Sequence, residues 1–391
     1  MPRSVAIIGG GVIGSAVAYF LTRDPAFEGT VTVVERDPTY RTASSALSAS
    51  SVRQQFSTPI NIEMSKFGIA FLRDLGTWLG ANGDRPDIGL VEHGYLFLAS
   101  DAGLDVLRRN YAIQHEHGVD VALLDPAGLR ERFPWLSTDG VVMGSLGVTG
   151  EGWFDGYLLL QAFRKKAVAQ GVRYTAEEVV GVSKDGERLV RAVRFADGSS
   201  LVADVVVNAA GPWAATVAEM LGVELPVRAR RRCVYAFVAP ESLPRCPLVI
   251  DTTGVYFRPE GDGFIAGFSP PEENDPDDLP LEPDRAAFDE VVWPALAQRV
   301  PAFDRIRLRS SWAGYYEYNV FDHNGIVGKH PDIENVYFAN GFSGHGLQHS
   351  PAIGRGVAEL IVHGRYRTLD LSPLSFERVL RNQPIVELNV I

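Results

Sequence analysis

The sequence predicts an α/β protein, α+β overall, in which a dinucleotide-binding domain is assembled from distant parts of the chain. A strand, a glycine-rich turn and a helix occupy residues 4–21. A second strand, 30–35, ends in an acidic residue, and another strand, glycine-rich loop and helix follow at 335–364, more than 300 residues later. We therefore expect the beginning and the end of the chain to meet at one binding site.

The N-terminal segment SVAIIGGGVIGSAVAYFL contains the first of these loops. Residues 5–8 form a short apolar run, as in a buried parallel strand. Gly9, Gly11 and Gly14 follow with the spacing GxGxxG, and from Ile13 apolar residues recur with the period of a helix. In such a motif the glycines permit a tight turn, close approach of a pyrophosphate and close helix–strand packing, while the helix N-terminus attracts phosphate. The segment predicts a Rossmann-like nucleotide site.

The next strand, TVTVVER, supports this prediction. It ends at Glu35, about 20 residues beyond the glycines, where a carboxylate accepts hydrogen bonds from an adenosine ribose. Arg36 is open to three interpretations: a contact to a 2′-phosphate, a contact to adenine, or a solvated neighbour.

Two later segments indicate FAD rather than NAD. In LVADVVVNAAGPWA, 201–214, an apolar strand is followed by the small residues Ala209, Ala210 and Gly211, which allow a ligand to approach, although a plain strand-to-helix turn fits as well. In the C-terminal segment, NVYFAN predicts a strand, a loop with three glycines follows, and Ser350 and Pro351 predict the start of a helix. A second helix N-terminus of this kind would stabilise negative charge on a flavin ring.

Bulk properties exclude several classes of protein. The net charge of −11 disfavours binding to nucleic acid. Cys233 and Cys246 lack the spacing of a zinc site or a redox dithiol, so we predict no metal and a reducing compartment, which we take to be the cytoplasm. No signal peptide is recognisable, and no apolar run approaches the ~20 residues of a membrane span.

Two charged segments have no assigned chemistry. The basic cluster VRARRR, 227–232, is interpreted as a strand end. The acid-rich segment PPEENDPDDLPLEPD, 270–284, is interpreted as a solvated loop, with a partner-docking site as the alternative.

The motifs together resemble the DAO-type FAD-dependent amine oxidoreductases, the family of sarcosine oxidase and dimethylglycine dehydrogenase. The resemblance runs nearly end to end and is carried by GGGVIGSAVAY, VVERD, ASSVRQQF, EGWFDGYLLLQAF, NAAGPWA, GVYFRPEGDGFIAGF and GFSGHG. It implies a fold in which a Rossmann-like FAD domain, formed by 1–88, 146–224 and 316–391, is interleaved with a substrate domain. That second domain, 89–145 and 225–315, is expected to be a mixed β-sheet.

The resemblance also implies the site residues. The expected FAD contacts are Gly9, Gly10, Gly11, Val12, Ile13, Gly14, Glu35, Arg36, Ser44, Ser45, Ser51, Val52, Arg53, Gln54, Val179, Ala209, Gly211, Trp213, Gly341, Ser343, Gly344, His345, Gly346, Leu347 and Gln348. The expected catalytic residues are Arg258, Tyr256, His345, Gln348 and Tyr315. Tyr256 and Arg258 alternate along one strand, so both could face the flavin, where Arg258 would bind a carboxylate; a surface salt bridge is equally consistent.

Three positions depart from the pattern of the monomeric sarcosine oxidases. Tyr315 replaces the cysteine that holds the flavin covalently, so we expect non-covalent FAD. Ile265 replaces the lysine that promotes reaction with oxygen, and Gln348 replaces a lysine that binds the substrate carboxylate. We therefore expect a dehydrogenase that oxidises a C–N bond of a small amino acid or N-alkylated amine and passes electrons to a quinone or a flavoprotein.

Two other functions fit parts of the sequence. The first is a flavin-bearing assembly or scaffold protein of the respiratory-chain type, in which FAD is structural. The second, an NAD(P)-linked disulfide reductase, is disfavoured because there is no redox cysteine pair.

Overall fold

The computed structural model describes residues 3–81 and 83–389. In chain order the strands are β1 Arg3–Ile8, β2 Gly29–Val34, β3 Ser51–Val52, β4 Tyr95–Ala99, β5 Val121–Leu124, β6 Met143–Gly147, β7 Gly152–Trp153, β8 Arg173–Thr175, β9 Val179–Asp185, β10 Leu189–Phe195, β11 Ser200–Val202, β12 Val205–Asn208, β13 Val227–Val238, β14 Leu248–Ile250, β15 Tyr256–Glu260, β16 Gly263–Gly267, β17 Arg307–Asn319, β18 Ile326–Lys329 and β19 Val336–Asn340. The α-helices are α1 Val12–Arg23, α2 Ser44–Leu47, α3 Pro59–Arg73, α4 Leu75–Leu79, α5 Leu104–Glu116, α6 Pro126–Arg132, α7 Gly156–Ala169, α8 Ala214–Met220, α9 Arg285–Ala287, α10 Trp293–Arg299, α11 Gly346–His363 and α12 Glu377–Leu380. Within the described ranges, no helix combines the length and the apolarity that crossing a membrane requires.

The first large sheet contains the predicted nucleotide-binding strands. Its order is β18-β19-β12-β1-β2-β8, and all strands are parallel except β18, which pairs antiparallel with β19 at one edge. Strands β1, β12 and β19 are each followed by a glycine-containing turn. Because the carboxyl ends of parallel strands lie at one edge of a sheet, these three turns meet there.

Helices α1 and α11 cover one face of this sheet and pack against each other. Their apolar residues belong to one core, which includes Val17, Ile353 and Val357. Helix α8 and the β9–β10–β11 sheet contribute to a separate core on the other side, together with residues of β1, β12 and β19. Both helices α1 and α11 therefore begin at the same edge of the sheet.

The second large sheet has the order β17-β13-β16-β15-β14-β4-β6-β5 and is mixed, as expected: β14 and β4 are parallel and the other pairs are antiparallel. Strands β6 and β17 cross the domain borders expected at 145/146 and 315/316. The other strands of this sheet fall within 89–145 and 225–315, whereas the strands of the first sheet fall in the other three segments. The residue borders themselves stay a prediction.

The last helix begins earlier than the sequence indicates. Helix α11 starts at Gly346, so Pro351 lies inside it rather than in its first turn. Proline has no N–H group to donate to the carbonyl of Leu347. Ser350 Oγ donates to that carbonyl instead, at 2.8 Å, which allows the helix to continue through the proline. The predicted stop at Gly364 is correct, and this residue has the left-handed φ of 69°.

The contact between α1 and α11 depends on a glycine. A Cβ atom added to Gly354 would lie 2.7 Å from the Cβ of Ala16. We expect Gly354→Ala to lower the free energy of unfolding by about 1–3 kcal/mol, because overpacking outweighs the helix-propensity gain of up to ~1 kcal/mol. Denaturant unfolding measures the change. The control is Gly128→Ala in α6, where a Cβ would make ordinary contacts no closer than 3.4 Å. Equal effects of the two substitutions would contradict the prediction.

Candidate functional site

One large cavity opens at the edge of the first sheet and continues to the second. It encloses about 1580 Å³, part of it open to solvent. Its lining includes the GxGxxG turn and Glu35 at one end, and Tyr256 and Tyr315 at the other. The cavity therefore connects the predicted nucleotide-binding turn with the strands of the second sheet.

The first glycine turn is built by close backbone contacts. Gly9 has a φ of 100°, and a Cβ on it would lie 2.3 Å from the carbonyl oxygen of Ala209. A Cβ on Gly14 would lie 2.0 Å from the oxygen of Gly9, which is the close helix–strand approach expected from the motif. Gly11 lines the cavity, and a Cβ added to it would have Ser45 Oγ as its nearest neighbour, at 3.6 Å. A larger side chain at Gly11 would therefore enter the space of the ligand.

Glu35 and Arg36 line the cavity beside the first glycine turn. The Glu35 carboxylate accepts hydrogen bonds from the N–H groups of Gly10 (2.8 Å) and Asp37 (2.9 Å), and burial raises its pKa. The guanidinium of Arg36 lies 3.8 Å from the ring centroid of Trp213. This stacking favours an adenine-side position for Arg36, and Val179 lines the same part of the cavity.

Helix α2 connects the two sheets at the cavity wall. Ser44 Oγ donates to the carbonyl oxygen of Tyr315 at 2.6 Å, and Ser45 Oγ accepts from the N–H of Val12 at 3.2 Å. The Tyr315 hydroxyl in turn donates to the carbonyl of Leu279 at 2.7 Å. The predicted cofactor contacts that line the cavity are Gly9, Gly11, Val12, Ile13, Glu35, Arg36, Ser44, Ser45, Val179, Ala209, Gly211, Trp213, Gly344, Gly346 and Leu347.

A second group of predicted contacts forms a buried cluster that does not line the cavity. Arg53 is its centre: its backbone N–H donates to Gln348 Oε1 at 2.7 Å, and its guanidinium lies 3.1 Å from His345 Nε2. Arginine is only a donor, so His345 Nε2 accepts. Burial, followed by the charge of Arg53, holds the pKa of His345 well below its usual range, so the ring is neutral and its Nε2 is not a donor to a flavin.

The remaining predicted contacts support the lining rather than join it. Ser51 and Val52 pair with β7, and the N–H of Gln54 donates to Glu151 at 2.6 Å. Gly10 and Gly14 pack within the first glycine turn and do not line the cavity: Gly10 contacts Glu35, and Gly14 contacts the carbonyl oxygen of Gly9. Gly341 and Ser343 donate their N–H groups to the Glu317 side chain (3.1 Å) and carbonyl (3.0 Å).

Arg258 was expected to face the flavin and bind a carboxylate, but its side chain does not line the cavity. The side chain is buried and donates to the carbonyl oxygen of Ala49 through Nη2 (2.6 Å) and Nε (3.1 Å). It also forms an ion pair with Glu260 and does not line the cavity. Because its donors are already used, the guanidinium anchors the end of the α2 segment.

Sequence reasoning missed several residues of the cavity wall. Arg232 belongs to the basic cluster, which forms the N-terminal half of β13, in agreement with its interpretation as a strand end, and it lines the cavity. Tyr316 and Glu317 follow Tyr315 on β17, and burial raises the pKa of Glu317 to about 8. Side chains alternate between the two faces of β13, so the sequence could have placed Arg232 at the cavity if it were known which face of the strand lines the cavity.

The C-terminal segment was also not foreseen. Glu387 is fully buried and accepts hydrogen bonds from the hydroxyls of Ser57 (2.6 Å) and Thr58 (2.8 Å) at the start of α3. Asn389 then reaches the Arg53 cluster, where its carbonyl accepts from the guanidinium and its side chain donates to Gln55 O at 3.0 Å. The segment therefore closes over Arg53.

These features fit FAD. Two helix N-termini and Glu35, which follows β2, lie along one cavity that extends from the first sheet to the second, and Gly11 leaves space where a side chain would intrude. A family model described as FAD dependent oxidoreductase, DAO, matches residues 4–360. The chain belongs to this family of FAD-dependent oxidoreductases, which is related to amine and amino-acid dehydrogenases and oxidases.

Individual relatives agree with this assignment. The chain is 46% identical to FAD-dependent oxidoreductase domain-containing protein 1 of Xenopus laevis, over 99% of this chain and 84% of that protein. It is 28% identical to the mitochondrial sarcosine dehydrogenase of Mus musculus, over 71% of this chain but 31% of that protein. Among solved structures, L-proline dehydrogenase from P. horikoshii superposes with a TM-score of 0.84 at 26% identity, covering 98% of this chain and 100% of that one.

The position of Glu35 gives a test of the nucleotide end. We expect Glu35→Ala to raise the Kd for FAD by about 10–100-fold, because a hydrogen bond to a charged group is worth roughly 1.5–3 kcal/mol. Fluorescence titration of the apoprotein with FAD measures this change. Glu28→Ala, an exposed glutamate just before the same strand, is the control and should leave the Kd unaltered. An unchanged Kd for Glu35→Ala would show that the carboxylate does not contact the cofactor.

The mode of FAD attachment gives a second test. Tyr315 lines the cavity, whereas neither Cys233 nor Cys246 is among the described lining residues. We therefore predict non-covalent FAD. Acid precipitation of the holoprotein should release the flavin into the supernatant, and flavin that stays with the protein pellet would contradict the prediction.

Proposed function

We propose that the protein oxidises a C–N bond of a small amino acid or N-alkylated amine to an imine. The observation that carries this proposal is the continuation of the cavity beyond Gly344 and Leu347 to Tyr256 and Tyr316. This extension is bounded by strands of the second sheet and adjoins the loop expected to hold the flavin edge. It offers a place for a small substrate next to the cofactor.

The relatives support a substrate of this kind. One is named a sarcosine dehydrogenase and a structural neighbour is named an L-proline dehydrogenase, and both names describe oxidation of a small amino acid. FAD, when bound, supplies the two-electron acceptor for such a reaction. The protein supplies the orientation of the substrate.

The chain's own residues divide into two groups in this proposal. Tyr256 and Tyr315 line the cavity, and we assign Tyr256 to substrate contact because this buried residue lines the extension. Arg258, His345 and Gln348 are positioning residues: Arg258 anchors Ala49, and the other two hold Arg53. Glu317 has a pKa of about 8, raised by burial, so it retains a proton at neutral pH and adds little negative charge to the wall.

The proposal predicts reduction of the bound flavin by an amine. Under anaerobic conditions, a panel of small amino acids and their N-methyl derivatives should include at least one that bleaches the flavin absorption. The same compounds without an N–H or N-alkyl group, such as the matching hydroxy acids, are the control. If dithionite bleaches the flavin but no amine does, the proposed amine oxidation is wrong, and a structural role for FAD is favoured instead.

We also propose that the protein is a dehydrogenase rather than a fast oxidase. A positive charge near the reduced flavin promotes its reaction with oxygen, and the candidate groups do not provide an isolated one. Ile265 is buried and apolar, and the pKa of His345 is well below its usual range because of burial, so the ring is neutral. Arg232 lines the cavity, but the carboxylate of Asp275 offsets its charge.

Stopped-flow mixing of the anaerobically reduced enzyme with air-saturated buffer tests this proposal. We expect slow reoxidation, and we expect Ile265→Lys to accelerate it by at least about tenfold, since a charge buried in a low dielectric acts strongly. Ile265→Met, which adds length without charge, is the control. Fast reoxidation of the unmodified enzyme would contradict the proposal. If Ile265→Lys does not accelerate reoxidation, Ile265 does not lie where oxygen reacts with the reduced flavin.

The proposals for the electron acceptor and for the location are supported only by the sequence. A quinone or a flavoprotein remains the proposed acceptor, and the cytoplasm remains the proposed location. The sarcosine dehydrogenase relative is named as mitochondrial, so the comparisons give no support for a cytoplasmic location.

A further inference from the structure

Glu317 places a carboxyl group beside the start of helix α11. Its Oε2 accepts a hydrogen bond from the N–H of Gly341 at 3.1 Å, and its backbone carbonyl accepts one from the N–H of Ser343 at 3.0 Å. A Cβ added to Gly346, the first residue of α11, would lie 3.3 Å from Glu317 Oε1. Both Glu317 and Gly346 line the cavity, so the carboxyl group lies at the edge of the ligand space.

The cationic groups on the elements around Glu317 have other partners. Strand β13 pairs with β17, and its residue Ala229 lies opposite Glu317. The four arginines of β13 contact the segment 270–284 instead: Arg228 and Arg230 through Asp277, Arg232 through Asp275, and Arg231 through the carbonyl of Glu282. His345, in the loop before α11, is neutral because burial holds its pKa well below its usual range. A negative charge on Glu317 therefore has no compensating cation among the described residues.

Burial favours the neutral form of this carboxyl group. It raises the pKa of Glu317 to about 8, and the backbone N–H groups of Gly341 and Phe342 offset only part of this effect. The tyrosines of β17 that flank Glu317 also keep their protons: Tyr315 donates to a backbone carbonyl, and burial raises the pKa of Tyr316 and Tyr318. Glu317 is therefore mainly protonated at neutral pH and ionised in more alkaline solution.

A reduced flavin needs the same end of α11. With the pyrophosphate at the first glycine turn, the ring end of FAD extends along the cavity toward Gly344 and Gly346. The free N–H groups and the positive dipole end of the helix favour negative charge there. When one proton accompanies two electrons, the ring gains one negative charge. Two negative charges at one helix end, in a site of low dielectric, repel each other, so reduction favours the protonated form of Glu317.

We propose that Glu317 is a redox-linked proton site, which takes up a proton from solvent when the flavin at the start of α11 gains two electrons. If Glu317 is ionised in the oxidised protein, reduction consumes two electrons and two protons, one for the flavin and one for the carboxylate. If Glu317 is already protonated, reduction consumes two electrons and one proton. The inference goes beyond the proposed function, because it concerns how readily the cofactor is reduced, whichever compound supplies the electrons.

The test is redox potentiometry of the holoprotein, with the flavin absorption as the measured signal. Each proton taken up changes the equilibrium constant tenfold per pH unit, which is about 30 mV for a two-electron couple. We expect the potential of the unmodified protein to fall by about 30 mV per pH unit from about pH 7 to about pH 8, and by about 60 mV per pH unit above that. Glu317→Gln is neutral at every pH, so its potential should fall by about 30 mV per pH unit throughout, and at about pH 9 it should be reduced about tenfold more readily than the unmodified protein.

Glu272→Gln is the matched control. Glu272 is exposed and lies close enough to Tyr318 of β17 for its charge to affect the pKa of that tyrosine, but it does not line the cavity. This variant should keep the change of slope. Infrared difference spectra of the unmodified holoprotein, reduced minus oxidised, give an independent measure if Glu317→Gln does not fold. At about pH 9, with Glu317 about one pH unit above its pKa, a carboxylate band should be lost and a protonated carboxyl band gained.

A single slope of about 30 mV per pH unit in the unmodified protein would overturn the inference, as would a change of slope that persists in Glu317→Gln. Loss of the change of slope in both variants would also overturn it, because the effect would then come from the net charge of the protein. An infrared spectrum in alkaline solution without a gained carboxyl band would do the same. The electrons come from dithionite, so these outcomes are independent of whether an amine reduces the flavin, and either proposal can fail while the other stands.

Discussion

The close packing of α1 against α11 is the contact on which the site depends. Gly354 and Ala16 allow the two helices to approach so closely that a methyl group added to Gly354 would overlap Ala16 of helix α1. Each helix follows a strand of the same parallel sheet, so this packing places both N-termini at one edge. The free N–H groups and the positive dipole ends of two helices then serve one ligand. A chain with only the first glycine loop would hold the pyrophosphate and leave the other end of the dinucleotide without this support.

The second sheet is joined to the first mainly through β17 and the segment around α2. Ser44 contacts the backbone of Tyr315, Trp312 Nε1 donates to Leu47 O at 2.9 Å, and Arg258 holds Ala49. These contacts are directed at backbone carbonyls, which fixes the path of the chain without depending on the side chains that face the ligand. The cavity can thus lie between two sheets and still have defined walls.

Charge is distributed unevenly in a protein whose net charge is −11. Arg230 and Arg232 of β13 are buried and are neutralised within the chain by the acid-rich segment, through Asp275 and Asp277. Burial of an ion pair is costly unless the geometry and hydrogen bonding are good, and the bidentate Arg232–Asp275 contact meets this condition. The two charged segments that appeared unrelated in the sequence are therefore partners, and Arg232 of the basic segment lines the cavity.

The sequence by itself determined the dinucleotide site, the parallel sheet around it and the family, because each of these depends on short-range patterns. Glycine spacing, apolar periodicity and an acidic residue at a strand end act within about 25 residues, so Gly9, Gly11 and Glu35 were predicted as parts of one site, and all three line the cavity. The tertiary structure alone decided which polar side chains face the ligand. Arg53 and Gln348 lie 295 positions apart and bind each other, Arg258 binds Ala49, and Arg232 binds Asp275. Motif spacing does not encode such outcomes, because a side chain turns toward whichever partner the distant parts of the chain bring within hydrogen-bonding distance.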